Sequence, residues 1–210
     1  MIAIPTPPAG LTCHPFEIVA GKELVRMHDA ARAGTVFNPG FGKSRFAPFA
    51  DMAGASVPTA YAATTFDCAA FEYVFHDINP AAAFKTVPFG ALNGIGVSMI
   101  SPTRNLKLAS FFEIDLNGFG LTRGQLIDTP ASTYSDTAAW AKAVHALADG
   151  FDGMIWTSRK CDPDLAMIIF GDRVVTGDLE LMSTGRLTHS AEYLSRLHEL
   201  GKRAGIDIVL

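Results

Sequence analysis

VPTAYAATTFDCAAFEYVFHD, residues 57–77, packs a strand end, a turn and a helix start into one short run. Pro58 opens an extended segment, and Thr59, Tyr61, Ala62 and Ala63 read as a short strand. Thr64 or Thr65 is placed to cap a helix over about Phe66–His76, with Asp67 in its first turn, where a carboxylate suits the helix dipole. Phe71, Val74 and Phe75, with Cys68, form one apolar side of that helix. Tyr61 on the strand and Glu72 on the helix are thereby fixed close to a single turn.

A lone helical Glu is most often a solvated surface group. Here its neighbours are unusually apolar, since AAFEYVF carries one charge in seven residues. An unpaired carboxylate costs several kcal/mol to bury, so Glu72 needs an Arg, a hydroxyl or a ligand beside it.

The chain around this unit has 210 residues and a mass of 22.4 kDa. At that size about 70% of the extended-chain surface is buried on folding, enough for a core without metals or disulfides. Length favours a single domain over two small ones. Hydrophobic residues make up 49% and charged residues only 18%, with a mean hydropathy of +0.22, so part of the surface is expected to be covered by a partner, another copy or a different protein. The net charge is −4 and no Lys/Arg run exceeds two residues, which gives no basis for a nucleic-acid surface. Cys13, Cys68 and Cys161 are odd in number and widely spaced, which fits a reducing compartment rather than a disulfide framework or a zinc site. MIAIPTPPAG lacks the basic start and apolar run of a signal peptide, and no stretch reaches about 18 uninterrupted apolar residues.

Residues 1–16, with Pro5, Pro7, Pro8 and Pro15, are expected to be an extended leader lying on the body or on a partner, and residues 17–210 the folded domain. ELVRMH alternates, with Leu24 and Arg26 on one face and Val25 and Met27 on the other, and reads as a strand. An Arg there is either a surface residue or one that points into a polar cleft. FNPGFGKSRFAP, residues 37–48, is a loop. It is not a nucleotide-triphosphate loop, because Phe37 stands where the first glycine of that pattern belongs. Its Lys43, Ser44 and Arg45 can still present donors to a diphosphate from a glycine-permitted turn; the alternative is an ordinary solvated basic loop.

Residues 84–115 read as β-rich, with segments at Phe84–Phe89, Ile95–Ile100 and Leu106–Ile114. Thr122 is placed to cap a short turn of helix. A second clear helix is predicted within Thr133–Gly150, capped by Thr137, with Trp140, Ala143, Val144 and Leu147 at helical spacing and His145 at its flank. FDGMIWTS and LAMIIF read as strands, GDRV as a continuation or exit, His189–Arg203 as the last helix and IDIVL as a terminal edge strand. The pattern is that of an α+β domain, and Arg26, Lys43, Arg45, Tyr61, Glu72, Ser158 and Arg159 are its dispersed polar candidates.

Four pieces, in order, resemble the RES-domain family, named for an Arg, a Glu and a Ser. They are the strand ELVRMH with Arg26, the turn GKSRF with Arg45, Tyr61 followed eleven positions on by Glu72, and DGMIWTSR with Ser158 and Arg159, trailed by AMIIFGDR. The resemblance spans about residues 22–175. Family members are bacterial toxins of toxin–antitoxin pairs that consume NAD, on a fold related to ADP-ribosyltransferases.

The resemblance thus implies a single α+β domain with mixed and antiparallel sheets and flanking helices. Arg26 and Arg45 would bind the pyrophosphate of NAD or hold the carboxylate in place, beside the Lys43 that the turn already offers to a diphosphate; Tyr61 would line the nicotinamide-ribose region; Glu72 would stabilise positive charge on the ribose; Ser158 would bond a ribose or phosphate oxygen or hold Glu72; and Arg159 would assist from the rim. It further implies NAD as substrate rather than cofactor, phosphate or water as acceptor, no metal, no membrane, a cytoplasmic setting, an Xre-type antitoxin partner and a possible homo-oligomer. Two alternatives keep the same site: a mono-ADP-ribosyltransferase acting on a protein, and a catalytically silent binding subunit. The chain departs from the family's Arg-Trp-Asn at the second piece, where it has Arg45-Phe46-Ala47, losing a polar Asn.

Overall fold

The computed structural model describes residues 3–210, so the expected leader is described from Ala3 on and its first two residues lie outside the described residues. In chain order the elements are β1 (Pro15–Ile18), β2 (Leu24–Asp29), β3 (Thr59–Ala63), α1 (Phe66–Tyr73), β4 (Thr86–Pro88), β5 (Ile95–Pro102), β6 (Leu106–Ser110) and α2 (Glu113–Gly118). They continue with α3 (Arg123–Leu126), α4 (Tyr134–His145), β7 (Gly153–Thr157), β8 (Leu165–Phe170), β9 (Leu179–Arg186), α5 (Ala191–Ala204) and β10 (Asp207–Val209).

Eight strands form one sheet in the order β1-β6-β7-β8-β3-β2-β5-β9, antiparallel at every step except the parallel pair β6–β7. β10 and β4 make a separate parallel ribbon. This mixed sheet with flanking helices is the α+β architecture expected. Strand alternation sends Val25, Met27, Met154, Trp156 and Ile168 into the larger core, against Phe66, Trp140, Val144 and Leu197 of the helices. Leu24, Ile155, Met167 and Ile169 enter a smaller core on the other face. β8 is buried on both faces, which is why LAMIIF is a continuous apolar run rather than an alternating one.

The leader lies on the body: Leu11 is buried, and Trp140 Nε1 donates to the Pro5 carbonyl at 2.8 Å. Among the described residues, no helix is long and apolar enough to cross a membrane.

The structure differs from the sequence reading in several elements: Pro15 and Phe16, read as the end of the leader, already pair with β6 in β1, and the expected strand Phe84–Phe89 is confined to Thr86–Pro88. α1 stops at Tyr73 rather than His76, because Lys160 Nζ takes the carbonyls of Phe75, His76 and Ile78, each at 2.8 Å, and turns the chain away. The expected strand Leu106–Ile114 ends at Ser110, since Asp115 accepts from Phe112 N at 3.3 Å and starts α2. Thr137 does not cap α4: it lies inside the helix, and its hydroxyl donates to the carbonyls of Arg45 and Tyr134. β9 was not anticipated at all; it is an edge strand whose residues after Leu179 are exposed, so no burial alternation marks it.

Candidate functional site

β2 and β3 are sheet neighbours that share a single registered pair, Val25↔Ala63, whereas β2 and β5 share six. Beyond that pair the two strands part, and a cleft of about 690 Å³ opens at the division. Arg26 reaches it from β2, Tyr61 from β3, Glu72 from α1, and Lys43 and Arg45 from the loop before β3.

The local sequence aims these groups. Thr65, in extended conformation, accepts from Cys68 N at 3.1 Å and fixes the start of α1. Phe66, Cys68, Ala69 and Ala70 pack inward, leaving Glu72 at the edge of the packed side. Ser158 follows β7 and is fully buried, and its Oγ donates to Glu72 Oε1 at 2.8 Å. Arg45 Nη1 stands 3.7 Å from Glu72 Oε2; the Arg45 side chain is 3% exposed and that of Glu72 16%. Glu72 and Arg45 therefore meet on the cleft lining, and Ser158 holds Glu72 from behind, outside that lining.

The loop carrying Arg45 is held independently of the guanidinium. Tyr61 OH accepts from Phe46 N at 3.1 Å and bonds Ser44 Oγ at 3.0 Å, and Thr137 binds the Arg45 carbonyl. The Tyr61 hydroxyl is thus a loop anchor, and burial raises its pKa to about 12. Lys43 is exposed on the lining. Arg159 is outside the lining of this cleft. It borders an adjoining hollow of about 310 Å³, with Nη2 on the His76 carbonyl at 2.9 Å and Nη1 on that of Thr129 at 3.4 Å. Arg159 and Lys160 together clamp the chain just past α1.

Sequence reasoning missed His76, Tyr134 and His28. His76 Nδ1 bonds Asp77 Oδ1 at 2.8 Å, so this nitrogen carries the hydrogen and Nε2 offers a lone pair. Nε2 then accepts from Tyr134 OH at 3.2 Å and from Arg45 Nη2 at 3.4 Å. Burial, with Arg45 nearby, lowers the His76 pKa. The polar pair His76-Asp77 directly after the apolar helix side was a usable signal; nothing in the sequence tied Tyr134 to Glu72.

His28 lines the cleft from β2. Its Nδ1 bonds the Asp29 carbonyl at 2.9 Å, and its Nε2 bonds Ser98 Oγ at 2.8 Å, which in turn lies 2.9 Å from Thr184 Oγ1. Gly96 faces it in register, and a Cβ there would come within 2.7 Å of the ring. Burial, helped by Arg26, lowers the His28 pKa from 6.5. With the folded value below the unfolded one, the unfolded chain takes up the proton first. The stability His28 and His76 contribute is thus present above their ordinary value and lost as pH falls below it. The urea midpoint is expected to fall between about pH 7 and about pH 5.5, with a shallower slope in His28→Gln; a flat wild-type profile would refute this.

No curated protein sequence matches the chain. Its structure is similar to a chain in the crystal structure of the M. tuberculosis MbcT–MbcA toxin–antitoxin complex. The TM-score is 0.60 at 18% identity, over 85% of this chain and 90% of that one, a likeness of fold. The family model described as RES domain matches residues 19–189, most of the chain and the whole of the cleft's sequence pieces, and the protein belongs to the RES-domain family.

Proposed function

We propose that the protein is an NAD-degrading enzyme that cleaves the nicotinamide–ribose bond, and that it acts as the toxin of a toxin–antitoxin pair. One observation carries the reading. Arg26 and Arg45 are buried on the cleft lining, at 7% and 3% exposure, and among the described residues each guanidinium makes one hydrogen bond, Arg45 having in addition Glu72 Oε2 at 3.7 Å. Arg26 donates to the Gly34 carbonyl at 2.8 Å, and Arg45 meets His76 at 3.4 Å. Burying a guanidinium with so few acceptors costs several kcal/mol, which a bound anion offsets through charge-assisted, bidentate bonds. Desolvation accordingly lowers the Arg26 pKa to about 10. A pyrophosphate supplies the missing acceptors.

Glu72 supplies the chemistry. As the bond between ribose C1″ and the nicotinamide nitrogen breaks, its electron pair leaves with the nicotinamide and neutralises the pyridinium. The ribose gains oxocarbenium character, which a fixed carboxylate favours. Ser158 holds Oε1, and Oε2 faces Arg45 of the cleft lining at 3.7 Å. Phosphate or water then adds at C1″ and gives up a proton. Ser158 has a positioning role, because its hydroxyl is bonded to Glu72 and among the described residues no His–Asp pair reaches it. A partner antitoxin, of Xre type, follows from the toxin reading, since unchecked NAD loss would stop growth.

The test is the product spectrum of pure protein and NAD by mass spectrometry, with and without phosphate. ADP-ribose 1″-phosphate that depends on phosphate identifies phosphorolysis, and ADP-ribose identifies hydrolysis. Labelled ADP-ribose found on protein would move the reading to a transferase. Absence of nicotinamide release in every buffer would overturn it.

A further inference from the structure

Phe41 is 66% exposed, yet it stands on the lining of the cleft. An isolated exposed Phe needs no explanation. This one is held in place by its loop. Asn38 Oδ1 accepts from Gly40 N at 3.0 Å and Phe41 N at 2.8 Å, and Asn38 Nδ2 donates to the Phe41 carbonyl at 2.8 Å. Asn38 is itself bonded through both main-chain groups to Thr59, at the start of β3, at 2.7 and 2.9 Å. Gly40 and Gly42 have φ of +128° and +73°, which permits the sharp turn that lifts the ring out. The loop thus presents an apolar ring to the cleft from a fixed support.

The Arg32 guanidinium lies over this ring, 5.2 Å from its centroid. A second cation near that ring would be repelled, whereas a neutral aromatic ring would not. No hydrogen bond or ion pair among the described residues links the Arg32 or Phe41 side chains to Glu72, Arg45 or Ser158. Of the two bases of NAD, nicotinamide is the cationic one and its ribose must meet Glu72. We infer that Phe41 is the stacking platform for the neutral purine, the adenine end of the substrate. This rests on the NAD reading above and adds the residue that selects an adenine nucleotide.

Calorimetric titration with ADP-ribose, which carries the adenine but no cleavable nicotinamide, tests it, with pyrophosphate as the comparator. Losing one base–aromatic stack is expected to weaken ADP-ribose binding by about tenfold to a hundredfold in Phe41→Ala, with Phe41→Trp near wild type. Pyrophosphate binding should be equal in all three proteins. The platform is overturned if Phe41→Ala binds ADP-ribose like wild type, if it loses pyrophosphate affinity equally, or if wild-type protein binds ADP-ribose no better than pyrophosphate. Nicotinamide release, measured separately, reports on the NAD reading: release without Phe41 dependence in the titration defeats the platform alone.

Discussion

Glu72→Gln is expected to leave the fold intact and lower the rate of nicotinamide release from NAD by about a hundredfold or more, roughly 3 kcal/mol of transition-state stabilisation. The substitution is nearly isosteric. The amide oxygen can still accept from Ser158, which lies 2.8 Å from Oε1 in the wild-type protein, so the packing of α1 against the sheet has no reason to change. What disappears is the negative charge. In the ground state that charge faces the buried Arg45 guanidinium at 3.7 Å, so its removal also costs some stability, which a urea midpoint reads separately from the rate. In the proposed transition state it faces a developing cation, and the loss is expected in kcat more than in KM. Turnover that survives unchanged in a normally folded variant would remove Glu72 from the mechanism.

Arg45→Ala is expected to reduce kcat/KM for NAD by about tenfold to a hundredfold, the range for losing hydrogen bonds to a charged group. The loop should persist, because its supports are the Tyr61 hydroxyl, the Thr137 hydroxyl and the main-chain pair Ser44–Ala47, none of which involves the guanidinium. The effect therefore reads the arginine itself. Arg45→Lys should restore only part of it, since a lysine keeps the charge but lacks the planar fork that grips two oxygens. Calorimetry with pyrophosphate separates binding from chemistry. Wild-type affinity and turnover in Arg45→Ala would reduce Arg45 to a structural residue.

Much of the unit that carries Glu72 was legible because its signals are local. Thr59–Ala63 is a strand, and Thr65 caps the helix by accepting from Cys68 N, as the residue order around them predicts. ELVRMH, with Val25 and Met27 in one core and Leu24 in the other, follows from alternation alone. The end of α1 was not legible, because it is decided by Lys160, which arrives from the β7–β8 connection to take three carbonyls. β9 was invisible for another reason: an exposed edge strand has no buried face to impose a period.

The amino-acid order by itself determined the elements whose cause lies within a few residues: caps, turns, alternating strands and the apolar run of β8. It also determined which chemical groups each element carries, Glu72 on a helix and Arg45 on a glycine-rich turn among them. Only the tertiary structure decided that β2 and β3 part after one registered pair and leave a cleft, that Arg26 and Arg45 are buried beside it, and that His76 and Tyr134 join them. Those facts depend on strand order and on contacts between distant segments. Hydrophobic period and capping act over one or two turns of chain and carry no information about which strands become neighbours or where they separate.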